Sequence, residues 1–181
     1  MSIEIIPGTW SLDKAHTEVG FTVRHAGISK VRGTFTDVDG SLTVGDSLAG
    51  SKVEAVVKSG SFDSNDSNRD AHVKGEDFFN VEEFPEMTFA STGITGSPEE
   101  FELQGNLTIK EITKPVTFEV EFGGVAVDPF GATRAGFSAT TQISRKEFGI
   151  TWNAALEAGG LLVGDKVTIS IDSAFVLASN N

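Results

Sequence analysis

Apolar and polar positions alternate along most of this chain. Phe101, Leu103, Leu107 and Ile109 alternate with Glu102, Gln104, Asn106, Thr108 and Lys110, and Gly105 holds the remaining place on the apolar side. Val116, Phe118, Val120 and Phe122 alternate with Thr117, Glu119 and Glu121. Val167, Ile169 and Ile171 do so with Thr168, Ser170 and Asp172, and Val19, Phe21 and Val23 with Gly20, Thr22 and Arg24. Val53, Ala55 and Val57, then Met87 and Phe89, follow the rule less tidily. Successive side chains of a strand point to opposite faces, so each run predicts a strand with one apolar and one wet face, the mark of antiparallel sheets. Asp39-Gly40, Gly45-Asp46, Gly96-Ser97-Pro98, Gly123-Gly124, Asp128-Pro129-Phe130-Gly131 and Gly164-Asp165 read as turns or loops between the runs. The count comes to about eight short strands. Their regular spacing predicts a sandwich or a barrel. A barrel is favoured because closure removes the edges that an open sheet must protect, and at eight strands a closed barrel can hold one small ligand.

Two segments depart from the alternation. In residues 64–75, Ser67 with Asp70 three positions later resembles a capping box with Asp in place of Glu, and Gly75 suits the position just past a helix end. A helix of about two turns is predicted there. Asn153-Ala154-Ala155-Leu156-Glu157-Ala158, closed by Gly159-Gly160, is a second short helical candidate. With no internal repeat and no linker, residues 1–181 read as one domain.

Composition bears on the interior. Among the aromatics there are 14 Phe, 2 Trp and no Tyr. Phe carries no polar atom, whereas buried Tyr or Trp wants a hydrogen-bond partner. A Phe-dominated interior can therefore face an apolar guest without presenting hydroxyls to it. The formal charge of -12, from 26 acidic against 14 basic residues, disfavours nucleic acid and anionic membrane surfaces as direct partners, since both need clustered Lys or Arg. The chain has no cysteine, which excludes disulfides, thiolate catalysis and Cys-type zinc sites. The opening MSIEIIPGTW has neither a basic n-region nor an apolar h-region, and no stretch approaches the roughly 20 apolar residues of a membrane helix. A cytoplasmic location is expected, or a periplasmic or secreted one if a leader was removed.

Catalytic chemistry finds little footing. His16, His25 and His72 show no close metal-ligand spacing, so no metal is expected. No serine lies in a GxSxG elbow. The pairs Glu76-Asp77, Glu82-Glu83 and Glu99-Glu100 sit among polar or turn residues, whereas a catalytic pair needs one carboxyl in an apolar pocket. No GxGxxG or GxxxxGK occurs, so no nucleotide cofactor is expected. Arg69 and His72 share a helix face at i and i+3. Two roles remain open for this cluster: Asp70 caps the helix while Arg69 ties it to the barrel by a salt bridge, or the group forms a polar gate over the barrel mouth.

These residues also carry a family resemblance. Trp10 to Phe21, WSLDKAHTEVGF, is similar to the opening W-x-x-D-x-x-H-[ST]-x-[VI]-x-F of the YceI-like family, and His25 follows in V-R-H. Val31-Arg32-Gly33-Thr34-Phe35, Asn68-Arg69-Asp70-Ala71-His72-Val73, Asp77-Phe78-Phe79 and Phe84 to Phe89 match later elements in order. So do Gly105 to Ile109, Thr113-Lys114-Pro115-Val116 and Ser144 to Gly149. Thr17 and Glu111 are small departures that leave the alternation intact. The resemblance runs from Trp10 to about Val176 and implies an elongated, lipocalin-like, eight-stranded antiparallel barrel. It further implies an apolar tunnel for a prenyl chain, a quinone or a fatty amide, a homodimer, and no established catalytic reaction.

The inward sets then supply the expected lining: Phe21, Val23, Phe35, Val57, Phe89, Leu103, Leu107, Phe118, Val120, Phe137, Ile143, Ile169 and Ile171. The competing expectation is that they merely fill the barrel as core. Burying a methylene is worth roughly 0.8 kcal/mol, but a lipid leaving a membrane exchanges one apolar medium for another, so that gain nearly cancels. Selectivity is therefore expected at a polar mouth built from His16, His25, Arg69 or His72. The expected function is carriage of a polyisoprenoid or isoprenoid quinone, without catalysis. An enzyme acting on an isoprenoid quinone and a ligand-free, stress-related interaction protein are the alternatives.

Overall fold

The computed structural model describes residues 5–157 and 159–178. Its strands are β1 (Gly8–Leu12), β2 (Glu18–His25), β3 (Ser29–Phe35), β4 (Val38–Val44), β5 (Lys52–Lys58), β6 (Phe62–Asp63), β7 (Glu86–Gly96), β8 (Glu100–Ile109), β9 (Ile112–Val127), β10 (Thr133–Ser144) and β11 (Val163–Leu177). One α-helix, α1 (Ser67–Lys74), and four short 3-10 turns complete the described residues. All pairings are antiparallel. The ring runs β1-β4-β5-β7-β8-β9-β10-β11 and closes where Trp10 of β1 pairs with Leu177 of β11.

The remaining strands lengthen this ring. β2 pairs with β11, β3 with β2, and β6 with β3. β1 and β2 are thus two halves of one bent strand, split by the turn at Lys14–His16. β3 and β4 are split at Thr36 and Asp37, and β5 and β6 at Ser59–Ser61. Eight strands result, each paired with its neighbour in sequence, in an up-and-down barrel that matches the alternation count. Between β6 and β7 the chain leaves the wall and lays α1 and residues 75–85 over one end, where Ser59 Oγ donates to the Phe84 carbonyl at 2.7 Å.

Three predicted turns fall inside strands: Asp39-Gly40 in β4, Gly123-Gly124 in β9 and Gly164-Asp165 in β11. Two of them coincide with shifts of register, at Gly136/Phe137 opposite Gly124 and between Val163 and Val167. Long barrel strands must coil, and glycine at a bulge or close approach permits it. The same residue type marks a turn or a bend, and only the pairing tells which.

The helix is where the alternation breaks, but its caps differ from expectation. Asp66, not Ser67, is the N-cap, and its carboxylate accepts from the amides of Asn68 and Arg69 at 3.1 Å each. Asp70 instead accepts from the Ser64 amide and hydroxyl, at 2.9 and 2.6 Å. Gly75 ends the helix in an extended conformation rather than the left-handed one. The second helical candidate is not a helix over its described residues. Asn153–Glu157 form a loop with a lone bridge from Ala155 to Leu161, and Ala158 lies outside the described residues. Asn153 explains the difference: its side chain donates to the Val163 carbonyl and accepts from the Val163 amide, at 2.8 and 2.9 Å. Those bonds pin the segment to β11 and override local helix preference.

Two glycines make room for rings inside the wall. The Phe21 ring lies over Gly33, its cross-strand partner, and the Phe89 ring lies over Gly105. A Cβ on Gly105 would stand 2.3 Å from the Phe89 ring and 2.7 Å from the Ala90 carbonyl oxygen. Overpacking of this kind costs about 1–3 kcal/mol. Gly105→Ala is therefore expected to lower the melting temperature by roughly 2–12 °C for a chain of this size, as calorimetry would show. An unchanged melting point would mean that the ring can move aside freely.

Candidate functional site

The barrel encloses a cavity of about 640 Å³, within the range of small-molecule sites. All thirteen residues expected to line it do so: Phe21, Val23, Phe35, Val57, Phe89, Leu103, Leu107, Phe118, Val120, Phe137, Ile143, Ile169 and Ile171. Leu103, Phe118 and Val120 are buried, but the other ten, although they face inward, are only half-buried. Close-packed interiors leave few voids larger than a water molecule. Inward side chains that keep accessible surface therefore line open space, and the filled-core expectation is not met.

The two ends differ. At one, Trp10 is 0% exposed and packs with Leu42, Val44, Ala135 and Phe175. Its indole N–H donates to the Ile6 carbonyl at 3.0 Å. Phe137 lies against Phe101, Phe122 and Phe175 at centroid distances of 6.4, 5.1 and 5.9 Å, which makes this half aromatic. The other end carries α1 and the loop from Gly149 to Leu162. There His72 meets the ring of Trp152 edge-on at 4.7 Å and that of Phe78 at 5.1 Å.

Of the four polar residues expected at a mouth, His25, Arg69 and His72 line the cavity at the α1 end, and His16 does not. His16 sits in the turn between β1 and β2, where its Nδ1 meets the Asp13 carboxylate at 2.7 Å. His72 Nε2 meets Asp77 at 2.9 Å. Among the described residues Arg69 forms no salt bridge; its Nε donates to Ser64 Oγ and its Nη2 to the Ser64 carbonyl, both at 2.7 Å. The expected tie from Arg69 to the barrel wall is instead a short-range clamp on the loop before α1.

Sequence reading missed two further charged lining residues, Arg24 and Arg145, and Arg145 is 4% exposed. Its Nε donates to the Gly164 carbonyl at 2.8 Å, and its Nη1 to the carbonyls of Ile150 and Trp152 at 2.9 Å each. Nη2 donates to the Val163 carbonyl at 3.1 Å. Burial pushes the guanidinium down from its usual value and Asp165 opposes that shift, but an arginine remains charged in a protein. The only sequence sign was its place in the late R-x-E-F-G stretch. Phe79, Phe78 and Trp152 also line the cavity and had no alternation to betray them.

Away from the cavity, Asp13 and Asp128 both pair with Arg134. Burial alone would raise the Asp13 pKa, but hydrogen bonds from His16 and Arg134 hold it below the usual value. The Arg134 bond lowers that of Asp128. A carboxylate with a depressed folded-state pKa adds stability above its unfolded value, near 3.9, and loses it as the pH falls through the folded value. Asp13→Asn is therefore expected to melt earlier than the parent at pH 7, the gap narrowing as the pH drops below the unfolded carboxylate value and closing below the folded one. Melting curves from neutral to acid would test this, and a constant gap would assign the loss to something other than charge.

A closed up-and-down barrel around an apolar cavity, with the charged side chains of its lining at the end that carries α1, defines a class of barrels suited to an elongated apolar guest. The chain belongs to the YceI-like family, whose domain model matches residues 10–175. It is 40% identical over 149 residues to a UPF0312 protein of Enterobacter sp. (strain 638), an alignment covering 81% of this chain and 78% of that one. The YCEI protein of Campylobacter jejuni superposes with a TM-score of 0.72 at 28% identity, covering 99% of this chain and 100% of that one. A polyisoprenoid binding domain from Saccharophagus degradans shares the fold, with a TM-score of 0.71 at 10% identity, covering 93% of this chain and 98% of that one.

Proposed function

We propose that this protein binds and carries a long-chain amphiphilic lipid, a polyisoprenoid or isoprenoid quinone, inside the barrel. The observation that carries the proposal is the open apolar interior: ten inward apolar side chains keep accessible surface around a cavity of about 640 Å³. A core that needed no guest would close on itself, because unfilled apolar space costs stability. The fold shared with a domain described as polyisoprenoid binding agrees with it. Among the described residues no helix is long and apolar enough to cross a membrane.

The test is mass spectrometry of organic extracts from protein purified without denaturation. An isoprenoid or quinone in stoichiometric amount is expected. An empty extract, from protein that also takes up no added prenyl lipid, would overturn the carrier role. The proposal is of binding rather than catalysis and of a cytoplasmic site of action. Turnover of an added quinone would refute the former, and cell fractionation checks the latter.

A further inference from the structure

Net charge counts against an anionic surface as a partner, but the fold does not spread that charge evenly. From Val19 to Thr36 the chain has no Asp or Glu, although it carries 26 acidic residues in all. That stretch is the β2–β3 hairpin. Val23 and Val31, which pair across it, line the cavity, so alternation turns the next pair, Arg24 and Lys30, to the outer face, and Arg32 with them. Lys166 stands on β11 beside Val167, the partner of Val23. All four cations are exposed, and among the described residues none has a salt bridge. Asp165, next to Lys166, is turned to the Ser144 hydroxyl and the Lys146 amide. Like charges directly opposite each other on a sheet are unfavourable, and Arg24 and Lys30 are such a pair.

The hairpin ends in an apolar tip. Ala26, Gly27 and Ile28 form the turn, closed where the Ile28 amide donates to the His25 carbonyl at 3.2 Å. Ile28 is 87% exposed. Ala26 sits at φ 55, a left-handed conformation that Asn or Gly adopts at less cost. The turn thus lacks the Asn or Asp that commonly makes such a tip both unstrained and polar. Leu161, 51% exposed, stands beside it, because the carbonyl of the next residue, Leu162, accepts from the Ala26 amide at 2.7 Å.

Edge protection accounts for only part of this. β3 pairs with β6 at Thr34 and Phe35 alone, so the rest of its edge is open, and cations guard open edges. That would explain Lys30 and Arg32, but not Arg24 and Lys166 on interior strands, nor a bare isoleucine at the tip. Single exposed apolar residues are ordinary. Two aliphatics on adjoining segments, above four unpaired cations, form a patch.

The acidic side of the molecule lies elsewhere. On the outer face of β8 and β9, Glu100 pairs with Glu121 and Glu102 with Glu119, and these strands stand across the ring from β2 and β3. Glu76, Asp77, Glu82 and Glu83 lie in the segment after α1, which is held at Phe84 and Pro85 to Ser59, at the end of β5. Such a charge separation turns the hairpin toward a negative surface while the opposite wall is repelled.

We propose that the β2–β3 hairpin docks the protein on an anionic phospholipid membrane, with Ile28 and Leu161 entering the interface and the four cations facing the phosphates. Aliphatic side chains gain by leaving water at such an interface, and each cation near it adds attraction. The proposal goes beyond the carrier reading and does not depend on it, since docking by the outside of the barrel needs nothing bound within.

The test is flotation of the protein with vesicles of equal parts phosphatidylglycerol and phosphatidylcholine, against vesicles of phosphatidylcholine alone. Partition onto the anionic vesicles is expected, stronger by at least about tenfold and weakened by high salt. Ile28→Glu and Lys30→Glu/Arg32→Glu are each expected to lower it by at least about tenfold. Phe130→Glu, at a residue 94% exposed on the β9–β10 hairpin at the other end of the barrel, is expected to leave it unchanged. All three variants change exposed side chains, and circular dichroism checks that they fold. Equal partition onto both vesicles, or undiminished partition of either hairpin variant, would overturn the proposal. So would a loss in Phe130→Glu as large as that in Ile28→Glu, which would move the contact to the other end. Absence from every vesicle would also overturn it, and a lower mass of Ile28→Glu in light scattering would then assign the tip to contact between two copies. None of these outcomes bears on whether the barrel holds a lipid, which the organic extract decides.

Discussion

Ala139→Trp is expected to empty the barrel of lipid without unfolding it. Ala139 lies on β10 between Val120 of β9 and Ile171 of β11, and all three line the cavity. A buried Trp covers roughly 150–250 Å², and at about 25 cal/mol per Å² the guest surface it displaces is worth roughly 4–6 kcal/mol. Affinity should therefore fall by about a hundredfold or more. This comparison is free of the membrane cancellation, because the lipid's reference state is the same for both proteins. The new ring enters open space rather than a packed core, so the melting temperature is expected to hold. Native mass spectrometry reads occupancy, and calorimetry reads stability. Retained full occupancy would show that the guest avoids this part of the barrel. Loss of folding would show that the interior has less room than its half-buried lining indicates.

Arg145→Met is expected to produce the largest loss of stability of any single change considered. The Gly164, Ile150 and Trp152 carbonyls lose their side-chain donor, whereas the Val163 carbonyl keeps that of Asn153. Buried acceptors left unpaired cost about 1–3 kcal/mol each. Water entering the vacated space returns part of this, so the net cost should be roughly 3–5 kcal/mol, a fall of about 6–20 °C in melting temperature. Hydrogen exchange should speed up most in residues 149–162, which the guanidinium holds to β11. Arg145→Lys should restore only part of the loss, since an ammonium lacks the planar fork that reaches carbonyls on separate segments. If methionine proved as stable as arginine, the carbonyl cage would not be what holds this loop.

The alternation along the chain determined the strands and which face of each turns inward. It did so because side chains in a strand have a period of two and a closed barrel has one dry face. That is why the lining from Phe21 to Ile171 was legible residue by residue. The eight-strand count was legible for the same reason, even though the turn at Lys14–His16, the break at Thr36 and Asp37 and the turn at Ser59–Ser61 cut three strands in two. Glycine-bearing turns were less legible, because Gly124 opposite a bulge and Gly131 in a tight turn look alike until strand pairing is known.

What only the tertiary structure decided lies at the barrel ends. His16 and His72 share a residue type but not a place: one joins Asp13 and Arg134 on the flank, and the other faces Trp152 over the cavity. Beyond its place in the R-x-E-F-G stretch Arg145 gave no warning, since its partners are backbone carbonyls, which every sequence contains and no sequence marks. Whether the apolar interior is core or chamber was also undecided by pattern. Alternation reports which way a side chain points, whereas strand number, tilt and closure determine how far apart the facing walls stand.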